Sequence, residues 1–375
     1  MVPIGTSSAG NTGTTERMKH MKVLMKGNEA LAEAAIRAGC HHFFGYPITP
    51  QTELAAYMAK RMPKIDGTYL QAESEIAAIN MVLGASAAGI RAMTSSSSPG
   101  ISLKSEGISY MAGSDLPALI INVQRGGPGL GGIQPSQSDY WQATKAGGHG
   151  DYQILVFAPS TVQEMVDLVS DAFDLADKYR MPSMILADGM LGQMMEPVEL
   201  PEEGAKQPIE KPWAACGHEN KREHNVINSL YLTPDKLESL VLERYERYEM
   251  IQKNEQRAEE YLTEDADLIV VAYGASARVA RSAVNKLREQ GQKVGLIRPI
   301  TLWPFPVDVL KKAAAHTKQM LTVEMSMGQM VDDVRLSVDC KIPVSFYGRT
   351  GGMIPTPADV QAEIEKLLKQ PERKG

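Results

Sequence analysis

The chain has 375 residues, 43% of them apolar and 22% charged, which suits a globular protein of two or three domains with ample core and not a disordered chain. A formal net charge of −6 argues against nucleic acid or an anionic membrane surface as the main partner. No apolar run reaches spanning length, the longest being about 116–123. Residues 1–20 are rich in Gly, Ser and Thr and lack a secretory apolar region, so they read as a flexible extension of a cytoplasmic protein. Cys40, Cys216 and Cys340 are too few and too scattered for a disulfide framework or a CxxC metal site. A four-thiolate iron–sulfur cluster therefore cannot be housed by this chain alone. His41-His42 and His218…His224 lack zinc-site spacing and read as structural or surface residues.

Ordered structure is expected from near Met21, with KVLM as a strand and Asn28 capping a helix over 29–38 that stops at Gly39. A strand over 41–46 then feeds GYPITPQTE (45–53). Here the sequence predicts a tight turn and a helix to Met62, with Thr49 as N-cap and Pro50 at its first position. A strand end meeting a helix N-terminus in an α/β sheet is a common ligand position, although an ordinary capped helix would read the same locally. After a strand over 68–72, Ser74 is expected to cap a small-residue helix that opens with Glu75. A strand over 91–94 runs into SSSSPG (95–100), and LPALIINV is a buried strand by its lack of alternation, ending at Gln124-Arg125.

The loop over 126–139, GGPGLGGIQPSQSD, carries five glycines and two prolines. It matches neither GxxxxGK[ST] nor a GxGxxG that opens a helix, so a substrate or interface loop is the better reading. A strand over 153–157 and a long helix capped by Ser160 follow, with Val162, Met165, Val166, Val169, Phe173 and Ala176 at core-face spacing. A strand over 182–187 completes a first domain, 21–200, whose alternating strands and helices imply a mainly parallel sheet covered on both faces.

Prolines 197, 201, 208 and 212 mark an extended connector, and a charged bracing helix is expected over 232–262, capped by Thr233 with Pro234 in its first turn. Connector and helix make up 201–264, and a second α/β block fills 265–375. Its Gly274-Ala275-Ser276 turn is weak evidence for a nucleotide.

With GYPITPQTE, QAESEIAAIN, TSSSSPGISLK, NVQRGGPGLGGIQPSQSD and GHGDY in register, the chain resembles the alpha subunit of the 2-oxoacid:ferredoxin oxidoreductases. The likeness is strong over 21–200, at domain level over 265–370, weaker over 205–260 and absent over 1–20. The branched-chain (2-oxoisovalerate) type is nearest, the 2-oxoglutarate type next. The resemblance implies a thiamine diphosphate pyrimidine-binding-type parallel-sheet domain followed by a transketolase C-terminal-like α/β domain.

It also implies roles. Glu75 would hydrogen-bond the aminopyrimidine ring of thiamine diphosphate and serve its acid–base chemistry, with Glu73 the near alternative and Ile76 and Ile79 as an apolar wall. Thr49 would hydrogen-bond the 2-oxoacid, Arg125 would pair with its carboxylate, and Tyr46, Pro47 and Ile48 would wall the site. The superfamily's GDG…N metal pattern is missing here. Ala187-Asp188-Gly189 resembles the end of a core strand, so no metal ligand is assigned. Diphosphate, Mg2+ and [4Fe-4S] clusters would then belong to a beta subunit, with gamma and ferredoxin-like delta subunits in the complex, CoA as co-substrate and ferredoxin as electron acceptor. Two rival readings are a thiamine-dependent dehydrogenase component that acylates lipoamide and a non-catalytic scaffold.

Overall fold

The structure, a computed structural model, describes residues 22–145, 147–202 and 209–369. The extension over 1–20, Met21 and Pro208 of the connector lie outside the described residues. The first part of the chain runs β1 (Val23–Lys26), α1 (Gly27–Arg37), β2 (His42–Gly45), α2 (Thr52–Arg61), β3 (Thr68–Gln71), α3 (Glu75–Ala87) and β4 (Ala92–Ser96). It continues through α4 (Ser98–Gly113), β5 (Ala118–Gln124), α5 (Tyr140–Thr144), β6 (Leu155–Phe157), α6 (Val162–Tyr179), β7 (Pro182–Asp188), α7 (Gly189–Gln193) and β8 (Met195–Val198). Then come α8 (Pro234–Asn254), β9 (Ala258–Tyr261), β10 (Leu268–Val271), α9 (Gly274–Glu289), β11 (Val294–Pro299) and β12 (Thr301–Trp303). The last elements are α10 (Val307–Ala314), β13 (Gln319–Glu324), α11 (Met330–Ser337), β14 (Val344–Gly348) and α12 (Pro357–Leu368).

Two large sheets organise these elements. The first has the order β12-β6-β7-β5-β4-β2-β3 and is parallel except for β12. Every residue of β5 is buried, as its unbroken apolar run demands of a central strand. The second has the order β14-β13-β10-β11-β9, antiparallel only at β9. One continuous core spans the first sheet and the inner face of the second, while a smaller one fills the outer face against α9 and α12. Strand β12 comes from the second half of the chain yet edges the first sheet. Arg278 of α9 with Glu196 of β8, and Arg298 of β11 with Glu164 of α6, add ion pairs across the same junction. None of the described helices is long and apolar enough to cross a membrane.

Local expectations hold where the capping chemistry is self-contained. Ser74 caps α3 through Ala77 N as expected. Three expectations are corrected. Asn28 does not cap α1, which starts at Gly27; its buried amide is spent elsewhere, as described below. Thr161, not Ser160, caps α6, because its side chain accepts from Glu164 N while Ser160 bonds the Glu164 carboxylate. Helix α8 ends at Asn254, and 258–261 become β9 because that edge of the second sheet recruits them. Of the apolar positions along α8, Tyr248 and Ile251 are buried whereas Leu237, Leu242 and Tyr245 are exposed.

Candidate active site

In the first sheet the chain passes from β2 to β3 on one side and then returns to place β4 on the other side of β2. This reversal opens a crevice at the carboxyl ends of the strands, the usual ligand position in such sheets. The carboxyl ends of β2, β3, β4 and β5, with the turns and helix starts that follow them, carry Thr49, Glu75, the serines 95–98 and Arg125.

The turn after β2 is fixed by buried amides. Gln51 donates to Tyr46 O at 3.2 Å and accepts from Ser95 Oγ at 2.6 Å. Asn28 reaches up from α1 to donate to Pro50 O at 2.8 Å and to Glu53 at 3.0 Å. With Gln51 at the cap position, α2 starts at Thr52, so the expectation of Thr49 as N-cap and Pro50 as first helical residue is corrected. Thr49 is thereby left outside the helix and exposed, with Pro47 exposed and Tyr46 and Ile48 half-buried beside it.

Glu75 and Glu73 separate cleanly. Glu73 is exposed and accepts from Ser74 Oγ, whereas Glu75 is buried at the first turn of α3. The Glu75 carboxyl faces Gly100 of α4, where an added Cβ would overlap Ser96 Oγ and lie 2.8 Å from Glu75 Oε1. Ser96 Oγ and the neighbouring Ser97 Oγ are buried without a hydrogen-bond partner. Ile79 is buried as expected, but Ile76 is largely exposed, so the wall has one residue and not two. The fully buried Lys104, one turn after Gly100, donates to Glu75 O at 3.4 Å. Burial pushes its ammonium down to about 8, opposed by the Glu75 charge.

Arg125 ends β5. Its Nη1 donates to Thr49 O at 3.0 Å and its Nη2 to Leu130 O at 3.1 Å, while Nε is buried without a partner. Its backbone N–H donates to Ser98 Oγ at 3.1 Å, and that hydroxyl donates to Asp139 at 2.6 Å. Asn122 also donates to Asp139, whose carboxyl burial pushes upward against these two donors. The serine run is thus the hub: Ser95 holds the Thr49 turn, Ser96 borders Glu75 and Ser98 holds Arg125. Sequence reading quoted the run as a signature and gave its members no role. Lys104 and Gln51 were missed likewise, and Asn28 was expected only as a helix cap, since only tertiary contact shows what they touch.

The glycine-rich loop serves as an interface. Gln137 donates to Tyr273 O at 2.8 Å and accepts from Ser276 Oγ at 2.6 Å and Met325 N at 3.0 Å, three groups of the second α/β block. Asp188 ends β7, as expected, and caps α7 through Met190 N and Leu191 N. Burial raises its carboxyl to about 6 despite donors that include Ala275 N. Among the described residues no group of three or more His, Cys, Asp or Glu side chains could hold a metal ion.

A buried carboxyl beside a side-chain-free cradle and two unpartnered hydroxyls suits a planar heterocycle with ring N–H groups. An arginine that spends two of its five N–H donors on neutral carbonyls suits a carboxylate.

Residues 33–266 match the family described as pyruvate flavodoxin/ferredoxin oxidoreductase, thiamine diphosphate-binding. Residues 266–360 match the core domain II of pyruvate:ferredoxin oxidoreductase. The ketoisovalerate oxidoreductase subunit VorB of Methanothermobacter thermautotrophicus is 49% identical over 92% of this chain and 97% of its own length. The 2-oxoglutarate synthase subunit KorA of Methanocaldococcus jannaschii is 38% identical over 92% of this chain and all of its own. A solved 2-oxoglutarate:ferredoxin oxidoreductase from Magnetococcus marinus, with 2-oxoglutarate, coenzyme A and succinyl-CoA bound, is similar at a TM-score of 0.85 and 29% identity. That match covers 93% of this chain and 65% of the longer neighbour. A split-gene transketolase, at a TM-score of 0.55 and 15% identity, shares the fold alone.

Proposed function

The chain belongs to the pyruvate flavodoxin/ferredoxin oxidoreductase family, whose members are subunits of 2-oxoacid:ferredoxin oxidoreductases, and on that premise we propose that it is the alpha subunit of such an enzyme acting on 2-oxoisovalerate. The reaction is oxidative decarboxylation of the 2-oxoacid with CoA to acyl-CoA and CO2, with the electrons passed to ferredoxin. The substrate choice is supported by the 49% identity to a ketoisovalerate subunit against 38% to a 2-oxoglutarate subunit.

The observation that carries the reading is the meeting of Glu75, the Gly100 cradle and the Arg125–Thr49 pair at one sheet edge. Thiamine diphosphate, when bound, supplies the carbon nucleophile and the electron sink for decarboxylation. Glu75, Ser96 and Gly100 are the groups of this chain that would hold its pyrimidine half. Glu75 offers a carboxyl oxygen to a ring N–H and holds the proton that passes between them. Arg125 orients the 2-oxoacid by its carboxylate through the terminal N–H groups not spent on Thr49 O and Leu130 O, while Thr49 reaches the same ligand from the opposite loop. Tyr46, Pro47 and Ile48 exclude water from that side. No group in this chain is assigned to the diphosphate. That portion, Mg2+ and the [4Fe-4S] clusters are given to a beta subunit, with gamma and ferredoxin-like delta subunits completing a cytoplasmic complex.

The test is anaerobic viologen reduction, dependent on CoA and thiamine diphosphate, by the chain co-expressed with its partner subunits. Offered 2-oxoisovalerate, 2-oxoglutarate, pyruvate and indolepyruvate, the complex should favour the first. Preference for 2-oxoglutarate would reassign the substrate. Silence with all four, from a complex loaded with thiamine and clusters, would remove the oxidoreductase reading.

A further inference from the structure

We infer that Lys104 is a positioning residue for Glu75, its ammonium fixing the first turn of α3 so that the Glu75 carboxyl faces the Gly100 cradle. The inference rests on the role proposed for Glu75.

Lys104 follows Gly100 by four residues on α4, so the two share the helix face that packs on α3. Its side chain is wholly buried, and its contact is a long one, 3.4 Å to the neutral main-chain oxygen of Glu75. An ammonium has three donors, and a buried one with so little compensation is costly. A methionine would fill similar space without that cost. The charge must therefore act on something nearby.

The candidates are few. Strands β4 and β5 carry no charged side chain. On β2 the titratable group is His42, at the start of the strand and away from the crevice. On β7 it is Asp188, engaged in capping α7. Glu106, on α4 itself, is exposed and bonded to Tyr110. Glu75 is the charged group felt by Lys104. The ammonium thus grips the Glu75 backbone and attracts its carboxylate toward α4, which is the side of the cradle.

Burial places the loss of this charge near pH 8. Lys104 is cationic below that value and neutral above it, so the grip on Glu75 weakens as pH rises through about 8.

The experiment measures thiamine diphosphate binding by calorimetry on the assembled, cofactor-free complex from pH 6.5 to 9.5, with turnover alongside. Wild type should lose about tenfold in affinity across the upper half of that range, the worth of one charge-assisted hydrogen bond. Lys104→Met should bind about tenfold more weakly at pH 7 and show no alkaline fall. Lys104→Arg should keep its affinity to the top of the range. Lys104→Gln repeats the neutral substitution if the Met variant fails to assemble. Wild-type affinity in the neutral variants, or weaker binding with the alkaline fall intact, would overturn the inference. Glu75→Gln separates it from its premise. If that variant turns over normally, the role of Glu75 itself is lost. If it is inactive while Lys104→Met behaves as wild type, Lys104 alone is misassigned.

Discussion

Arg125 donates from Nη1 to the carbonyl oxygen of Thr49 at 3.0 Å, joining the loop after β5 to the turn after β2 across the mouth of the crevice. The second terminal nitrogen is spent on Leu130 O, and Nε remains buried and unused. The guanidinium is therefore held by two neutral acceptors that satisfy its geometry and leave its charge uncancelled. That is the state expected of a group waiting for an anion.

Arg125→Lys should raise KM for the 2-oxoacid and lower kcat/KM by about a hundredfold, because an ammonium cannot hold Thr49 O and Leu130 O in a fork and still present a third, oriented donor. Steady-state kinetics on the assembled complex decide it. A kcat/KM within threefold of wild type would show that the carboxylate is bound elsewhere.

Gln137 joins the glycine-rich loop to the second α/β block with three side-chain hydrogen bonds. Gln137→Leu leaves Tyr273 O, Ser276 Oγ and Met325 N without their partner in a buried setting, at about 1 to 3 kcal/mol for each group. Urea denaturation of the full chain should show a lower midpoint. An unchanged midpoint for the Leu variant would mean that the loop does not couple the two blocks.

Asp188 offers a pH test. Burial raises its folded-state carboxyl from 3.8 to about 6. Between these values the folded chain holds a proton that the unfolded chain has released, so this group's contribution to stability falls as pH rises through the window. Above pH 6 its full cost is present, on the order of 3 kcal/mol from a shift of about two units. Asp188→Asn keeps one oxygen for Met190 N and Leu191 N but turns an amide toward Ala275 N, losing a bond of about 1 kcal/mol. The variant should be more stable than wild type at pH 7.5 by about 1 to 2 kcal/mol, with the advantage gone at pH 4.5. Chemical denaturation at the two pH values checks it, and an advantage independent of pH would refute it.

Much of the site was legible before any coordinates. GYPITPQTE and QAESEIAA mark strand-to-helix junctions through Gly, Pro and Ser chemistry that acts within a few residues, so the helix-opening position of Glu75 follows from the chain itself, whereas the cap position before α2 falls to Gln51 and not to Thr49. Two of the errors share one cause. Asn28 resembles an N-cap, yet its amide is taken by Pro50 O and Glu53 on another helix. Residues 258–261 resemble the end of a long helix, yet a free sheet edge claims them. In both, a partner distant in sequence outbids a local preference worth at most about 1 kcal/mol.

Sequence alone determined the alternation of strand and helix, the buried centre at β5 and the family, and it nominated the residues proposed to carry chemistry, because apolar period, caps and turn residues act over one or two turns of chain. Tertiary structure alone decided that the serines 95–98 tie three loops together, that Arg125 keeps a free donor, that Gln137 joins the two blocks and that Lys104 lies beneath Glu75. These are contacts between residues 27 to 188 positions apart in their hydrogen bonds. Strand order brings them together, and no local periodicity encodes it.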